Sequence, residues 1–350
     1  MSYKEEQMRL YEEKISILEK SMPDFMRSYI SSSLTALKPS SLYMYARDLN
    51  VFLDYMMTHA ESFSEASDKR DLTLDQLGSI KYQEMDSYAI WVKSGRADKT
   101  FARMMASVSA LYAHFIRLNK LQYNPVTAIR KPKNKAHNIN RLRGDEEAKL
   151  LKGIMFGHNQ TDTERKKKIH ERNWLRDYCI VRIFLFTGIR VSELVGLDIE
   201  DVDVTSCSLA ITRKGGKSEN VYFDDETKAY LIDYMAERRD TFRVDDDERA
   251  LFVSRLGSRM SVRSVQQLVE KYKKTILPNH KHLSPHKLRA SFATDFYEAS
   301  GGDLLLTSKR MGHVNVQTTT IYAEATKQRE RESRNILGKI NGLDDVESLE

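Results

Sequence analysis

The apolar positions of the first 120 residues recur at helical spacing. Leu42, Tyr45, Leu49, Phe52, Leu53 and Met56 follow Lys38-Pro39-Ser40, which predicts a helix opened by the proline with Ser40 as a cap candidate. Phe101, Met104, Met105, Val108, Leu111, Tyr112 and Phe115 step by threes and fours along one stripe, the pattern of a helix with one buried face. Such a Met and aromatic stripe reads as core, not as a cofactor box. Residues 1–20 predict a more charged amphipathic helix, and no strand-like alternation occurs in this half. The helical patterning stops near Asn124-Pro125. Beyond it, helices are expected over 145–156, 173–186, 225–239, 262–274, 286–298 and 303–311. Two short strands, Ser208 to Thr212 and Glu219 to Phe223, flank the glycine turn Arg213-Lys214-Gly215-Gly216-Lys217-Ser218. The expected fold is mainly α with a small β-sheet in the C-terminal part.

The 350 residues suit two compact domains, and 41% hydrophobic with 30% charged residues is enough to bury a core in each. No apolar run approaches the roughly 18 residues a membrane span needs, and Met1 to Glu6 lacks an apolar signal core, which argues against a secreted product. Cys179 and Cys207 have no C-x-x-C spacing, so neither a disulfide framework nor a cysteine metal site is expected, and a reducing cytoplasm fits. The net charge of +6 is a weak pointer to nucleic acid until its distribution is considered. Between Asn124 and Gly144 there is no acid, only Arg130, Lys131, Lys133, Lys135, Arg141 and Arg143, with Pro125 and Pro132 barring regular helix. The segment reads either as a solvated linker or as a basic strap whose cations neutralise phosphates and release counterions.

Several polar groups of the second half are hard to explain by folding alone. Arg190 lies within the apolar Phe184-Leu185-Phe186-Thr187-Gly188-Ile189-Arg190-Val191-Ser192-Glu193-Leu194. A buried guanidinium needs an anionic or carbonyl partner, so Arg190 either pairs with Glu193 one turn on or awaits a phosphate with Glu193 orienting it. His286 and Arg289 are one turn apart after Ser284-Pro285, a helix-start signal where an anion is favoured, and read either as a surface charge pair or as an anion-binding pair. His280, His282 and His286 could be read as metal ligands, but no nearby carboxylate or cysteine completes the set. Lys309-Arg310-Met311-Gly312-His313 is followed nine residues later by Tyr322.

Together these segments resemble the tyrosine recombinase (phage integrase) family, closest to its Xer-like branch, over residues 20 to 340. The resemblance matches Arg190 to the family's arginine segment, Lys214 to its hairpin lysine, His286 and Arg289 to its HxxR box, His313 to its GH box and Tyr322 to its nucleophile. Ala290 stands where the box usually continues with histidine, and Ser300-Gly301-Gly302 is about one residue long for its junction. Lys217 shares the hairpin, and Lys214, just before the glycine, is the family match.

The resemblance implies a two-domain C-shaped clamp: a helical core-binding domain over 1–123, a basic linker over 124–143 and a catalytic domain over 144–340. The catalytic domain ends in an exchange helix over 325–340, and 341–350 form a flexible acidic tail. The implied reaction is transesterification at a DNA phosphodiester through a 3′-phosphotyrosyl link, with no cofactor and no metal. The implied partners are double-stranded DNA with an inverted-repeat core site and further copies of the chain. Four copies would join in a synapse through the C-terminal helix, which could instead dock on its own domain. No membrane is involved, and the protein would work in the cytoplasm at the nucleoid. Type IB topoisomerase-like relaxation and a catalytically silent DNA-binding regulator are the rival readings. Chain length and an apparent insertion around His158–Arg172 tilt the biological task toward a mobile element or an inversion system.

Overall fold

The computed structural model describes residues 3–130, 141–157, 163–213, 216–312, 315–321 and 323. The chain divides into two compact units, Met1–Lys135 and Ala136–Glu350.

The elements of the first unit, among its described residues, are helices and no strands: α1 Tyr3–Glu19, α2 Asp24–Ser33, α3 Pro39–His59, α4 Leu74–Ser79, α5 Tyr82–Gly95 and α6 Asp98–Arg117, with short 3-10 turns between them. Every member of the α6 stripe, from Phe101 to Phe115, is buried. It packs with Leu49, Phe52, Leu53 and Met56 of α3 and with Met85, Tyr88 and Val92 of α5 in one core. Two polar groups that enter this core are paired, as burial favours. Asp48 accepts from Ser107 Oγ at 3.0 Å and pairs with Arg103, and Tyr112 Oη donates to the Leu77 carbonyl at 2.8 Å. The start of α3 departs from expectation. Lys38 occupies the cap position without a side-chain bond, and Pro39 is the first helical residue. A proline at that place loses no hydrogen bond and presets φ, so Ser40 is not needed as a cap. The chain after α6 is not yet extended. Asn124 caps a 3-10 turn, Pro125–Ala128, that buries Pro125 and Val126, and Ile129 joins the same core. The segment 124–129 therefore belongs to the packed helical unit; the rest of the basic run up to residue 140, apart from the exposed Arg130, lies outside the described residues.

The second unit begins with α7 Gly144–Phe156 and the long α8 Glu164–Thr187. Thr163 caps α8 by accepting the Lys166 N–H at 3.3 Å. The helix starts nine residues before its apolar pattern does, because Glu164 to Arg172 is almost entirely polar; the apparent insertion is, over its described part, the first turns of α8. From Leu175 to Leu185 every residue of α8 is buried, and α7, α10 and α12 all pack on it. Next come α9 Val191–Val195, β1 Val202–Asp203, β2 Ser208–Thr212, β3 Ser218–Tyr222, α10 Asp225–Phe242, α11 Val262–Ile276, α12 Pro285–Ala299 and α13 Leu304–Met311. The strands form an antiparallel sheet in the order β1-β2-β3, with Leu209 opposite Val221 and Ile211 opposite Glu219. The two-residue β1 is too short to leave a sequence pattern. The architecture is mainly α with one small sheet.

Two features of this unit generate measurable consequences. At the end of α8, Gly188 adopts φ +61°, and a Cβ there would lie 2.2 Å from Phe292 Cδ1 of α12. Gly188→Ala meets both a disfavoured backbone and an aromatic ring locked in the core, and is expected to destabilise the protein by about 2 kcal/mol or more in denaturant titration. The second feature is the seam between α7 and α12. The Leu142 N–H donates to Ser291 Oγ at 2.9 Å, and Arg141 pairs with Asp295 and with Glu298. Burial, and then the neighbouring Asp295 carboxylate, raise the Glu147 carboxyl well above the usual carboxylate range. The folded state thus holds a proton that the unfolded chain releases at the ordinary glutamate pKa. Stability falls as pH rises from that value toward the raised one. Glu147→Gln is expected to flatten the decline in melting temperature between about pH 5 and pH 8; an unchanged slope would contradict the assignment.

Candidate active site

Arg190, Glu193, Arg213 and His286 each sit at the edge or first turn of an element, and Arg289 lies one turn into α12. After α8 the left-handed Gly188 turns the chain, Ile189 plugs the core, and Arg190 emerges extended at the entry to α9. Glu193, at the third position of α9, accepts the Arg190 backbone N–H at 2.7 Å through Oε2 and Arg190 Nη1 at 2.8 Å through Oε1. The pair expected from spacing is present, and it leaves the two partners unequally exposed: the Glu193 side chain is 3% accessible and that of Arg190 32%. The carboxylate is internal, and the guanidinium it holds still reaches solvent.

Glu193 has a second partner that sequence reasoning missed. Arg213, 6% exposed, follows β2 and donates from Nη1 to Glu193 Oε2 at 3.2 Å and from Nε to Glu219 Oε2 at 2.9 Å. Its backbone N–H donates to the Lys217 carbonyl at 2.8 Å, which closes the base of the hairpin turn. The available signal was strand alternation: Leu209, Ile211 and Arg213 are alternate positions and all three are buried.

Helix α13 ends at Met311, with Gly312 in the left-handed conformation at φ +59°. A helix leaves its last carbonyls without internal partners and carries partial negative charge there. Here three arginines from three other elements supply the partners. Arg213 Nη2 donates to the Arg310 carbonyl at 3.1 Å, Arg289 Nη2 to the Met311 carbonyl at 2.6 Å, and Arg190 Nη2 to the Gly312 carbonyl at 3.2 Å. Arg289, buried on α12, also donates to the Gly188 carbonyl. A Cβ on Gly312 would lie 2.6 Å from Arg213 Nε, so the close approach requires glycine as much as the backbone angle does. Arg310 donates to the Tyr222 carbonyl at 2.7 Å, and burial followed by the nearby Arg213 charge lowers its pKa below the ordinary arginine value.

The cluster therefore gathers Arg190, Arg213, Arg289 and Arg310 around Glu193 and Glu219, an excess of fixed positive charge without lysine flexibility. A guanidinium has five N–H donors in a planar fork, more than Arg190 uses in these two side-chain contacts, and the fork matches phosphate oxygens. His286 lies on the first turn of α12, exposed, one turn before Arg289. Lys217 is exposed on the hairpin. Lys214, His313 and Tyr322 lie outside the described residues, as do Lys131, Lys133, Lys135, the helix expected over 325–340 and the tail over 341–350. Among the basic candidates that are described, Arg130 and Arg143 are exposed. Arg141 is instead engaged: its side chain, 11% accessible, pairs with Asp295 and Glu298 and fastens the start of the second unit to α12. Among the described residues, no group of three or more His, Cys, Asp or Glu converges as a metal site, and no helix is long and apolar enough to cross a membrane.

The phage integrase family model matches residues 133–329. The chain is 27% identical to the tyrosine recombinase XerS of Streptococcus uberis, over 94% of this chain and 98% of that protein. Among solved structures, that of the XerH site-specific recombinase bound to a palindromic difH substrate, a post-cleavage complex, matches with a TM-score of 0.63 at 20% identity. That match covers 89% of this chain and 83% of XerH. A lambda integrase dimer bound to a core site matches with a TM-score of 0.61 at 14% identity, covering 86% of this chain and 94% of that one. With more than half of its length matched by the family model, this chain belongs to the phage integrase family and is a Xer-like tyrosine recombinase.

Proposed function

We propose that the arginine cluster at the C-terminal end of α13 receives the scissile phosphate of duplex DNA, and that Tyr322 attacks it to give a 3′-phosphotyrosyl link and a free 5′-hydroxyl. The observation that carries this reading is the convergence of Arg190 and Arg289 on the carbonyls immediately before His313, with Glu193 holding Arg190 from inside. A diester bears one negative charge, and more develops on the equatorial oxygens of its pentacoordinate transition state. Preorganised guanidinium groups stabilise that charge with no reorganisation at the moment of reaction. His313 is assigned a further donor role. The phenol of Tyr322, with a reference pKa of about 10, passes its proton to His286 as its oxygen bonds to phosphorus. The bond to the 5′-oxygen breaks as Lys214 supplies that oxygen with a proton. Attack by the 5′-hydroxyl of a partner strand reverses these steps, expels Tyr322 and conserves the ester, so neither a nucleotide nor a cofactor is consumed.

The helical unit is assigned to DNA binding, with the cations Arg130, Lys131, Lys133, Lys135 and Arg143 along the backbone, where they contribute affinity without sequence preference. The similarity to DNA-bound XerH and lambda integrase supports that assignment. Four copies are assigned to a synapse on inverted-repeat sites, with the helix expected over 325–340 docking through Ile336, Leu337 and Ile340 on a neighbouring copy. The length of the chain matches that of XerS, since 94% of one aligns with 98% of the other, so length gives no ground for separating it from Xer proteins.

A nicked suicide duplex tests the chemistry. The wild type is expected to become covalently attached to DNA on a denaturing gel, and Tyr322→Phe is expected to form no adduct. Lys214→Ala should slow attachment by about 10² or more, as loss of a general acid does, while Lys217→Ala stays near the wild-type rate. If Lys217→Ala abolishes attachment and Lys214→Ala does not, the hairpin assignment is reversed. If Tyr322→Phe still forms the adduct, the nucleophile is another residue.

A further inference from the structure

We infer that Arg213 is a positioning residue for the phosphate site, acting on Arg190 through the Glu193 carboxylate they share; the inference rests on the reading of Arg190 as a phosphate-binding group. Three observations carry it. The two oxygens of Glu193 are divided: Oε1 holds Arg190 Nη1 at 2.8 Å, while Oε2 takes the Arg190 backbone N–H at 2.7 Å and Arg213 Nη1 at 3.2 Å. Arg213 thereby helps fix the plane of the carboxylate, and that plane sets the direction in which Arg190 points. Second, Arg213 is anchored from two further sides, by Glu219 of β3 and by the Arg310 carbonyl of α13, and the absent side chain of Gly312 makes room for it. It cannot swing away without abandoning all three acceptors. Third, the charges of Arg190, Arg213, Glu193 and Glu219 balance. Without Arg213, Glu193, 3% accessible, keeps only the Arg190 ion pair and Glu219 loses its pair with Arg213. The site then presents one positive charge fewer to an incoming phosphodiester, in a setting where solvent screens the carboxylates poorly.

The test uses the full-length protein, a suicide duplex with either the native scissile phosphate or a methylphosphonate at that position, and three variants. A methylphosphonate carries no negative charge on its non-bridging oxygen, so cleavage of it depends less on a guanidinium aimed at that oxygen. Arg190→Ala is the control and should be strongly impaired on the native duplex and relieved on the methylphosphonate. Arg213→Gln should bind duplex DNA as the wild type does, cleave the native phosphate on the order of 10- to 100-fold more slowly, and recover most of that loss, relative to wild type, on the methylphosphonate. Arg213→Lys keeps the charge but cannot span the three acceptors. It should show a smaller loss with the same relief, and it carries the test if Arg213→Gln does not fold by circular dichroism. A purely structural role predicts an equal loss on both duplexes, and that result, with Arg190→Ala relieved, overturns the inference. Wild-type cleavage of the native phosphate by Arg213→Gln overturns it as well. If Arg190→Ala gains nothing on the methylphosphonate, the reading of Arg190 itself fails, whatever Arg213 does.

Discussion

The candidate site is organised around the internal carboxylate of Glu193. Glu193 is buried, and a buried charge is tolerated only when it is paired and hydrogen-bonded. Its partners come from the entry to α9 and from the hairpin, and those same arginines go on to hold the end of α13. Removing either arginine leaves the buried Glu193 carboxylate with one guanidinium partner fewer in a poorly screened interior, which is unfavourable. That cost ties three otherwise independent elements into one arrangement. The arrangement leaves Arg190 partly open to solvent, with its inner side fixed.

The same economy appears at the helix end. Carbonyls that close a helix need donors from elsewhere, and arginines serve this need while gathering positive charge at one place. Structural satisfaction and anion affinity are thus met by the same groups. Two glycines make the approach possible. Gly188 lets α8 end against Phe292 so that Arg190 starts the next helix, and Gly312 lets α13 end against the Arg213 side chain. Neither place accepts a Cβ, so these two residues specify geometry that no polar side chain could supply.

Much of this was legible in the sequence because it is periodic or local. The α6 stripe from Phe101 to Phe115, the pairing of strands around Lys214 and the Arg190–Glu193 spacing each follow from residues close in the chain. What escaped was either unpatterned or distant. The first turns of α8 are polar on all sides and leave no hydrophobic period to detect. Arg141 counted as a linker cation by composition, yet its partners Asp295 and Glu298 lie more than 150 residues on. Arg213 stands beside Lys214 in the hairpin, and its partners on α9 and α13 are brought to it only by the fold. Its place on the buried face of β2, in step with Leu209 and Ile211, was the one local sign of its role.

The central claim is that this guanidinium cluster is where the reacting phosphate is held. A crystal structure of the Tyr322→Phe protein with an uncleaved duplex measures it directly. The account predicts one backbone phosphate with its non-bridging oxygens within about 3.2 Å of guanidinium nitrogens of both Arg190 and Arg289, with Glu193 still between Arg190 and Arg213. A duplex bound with no phosphate in reach of either arginine would contradict it.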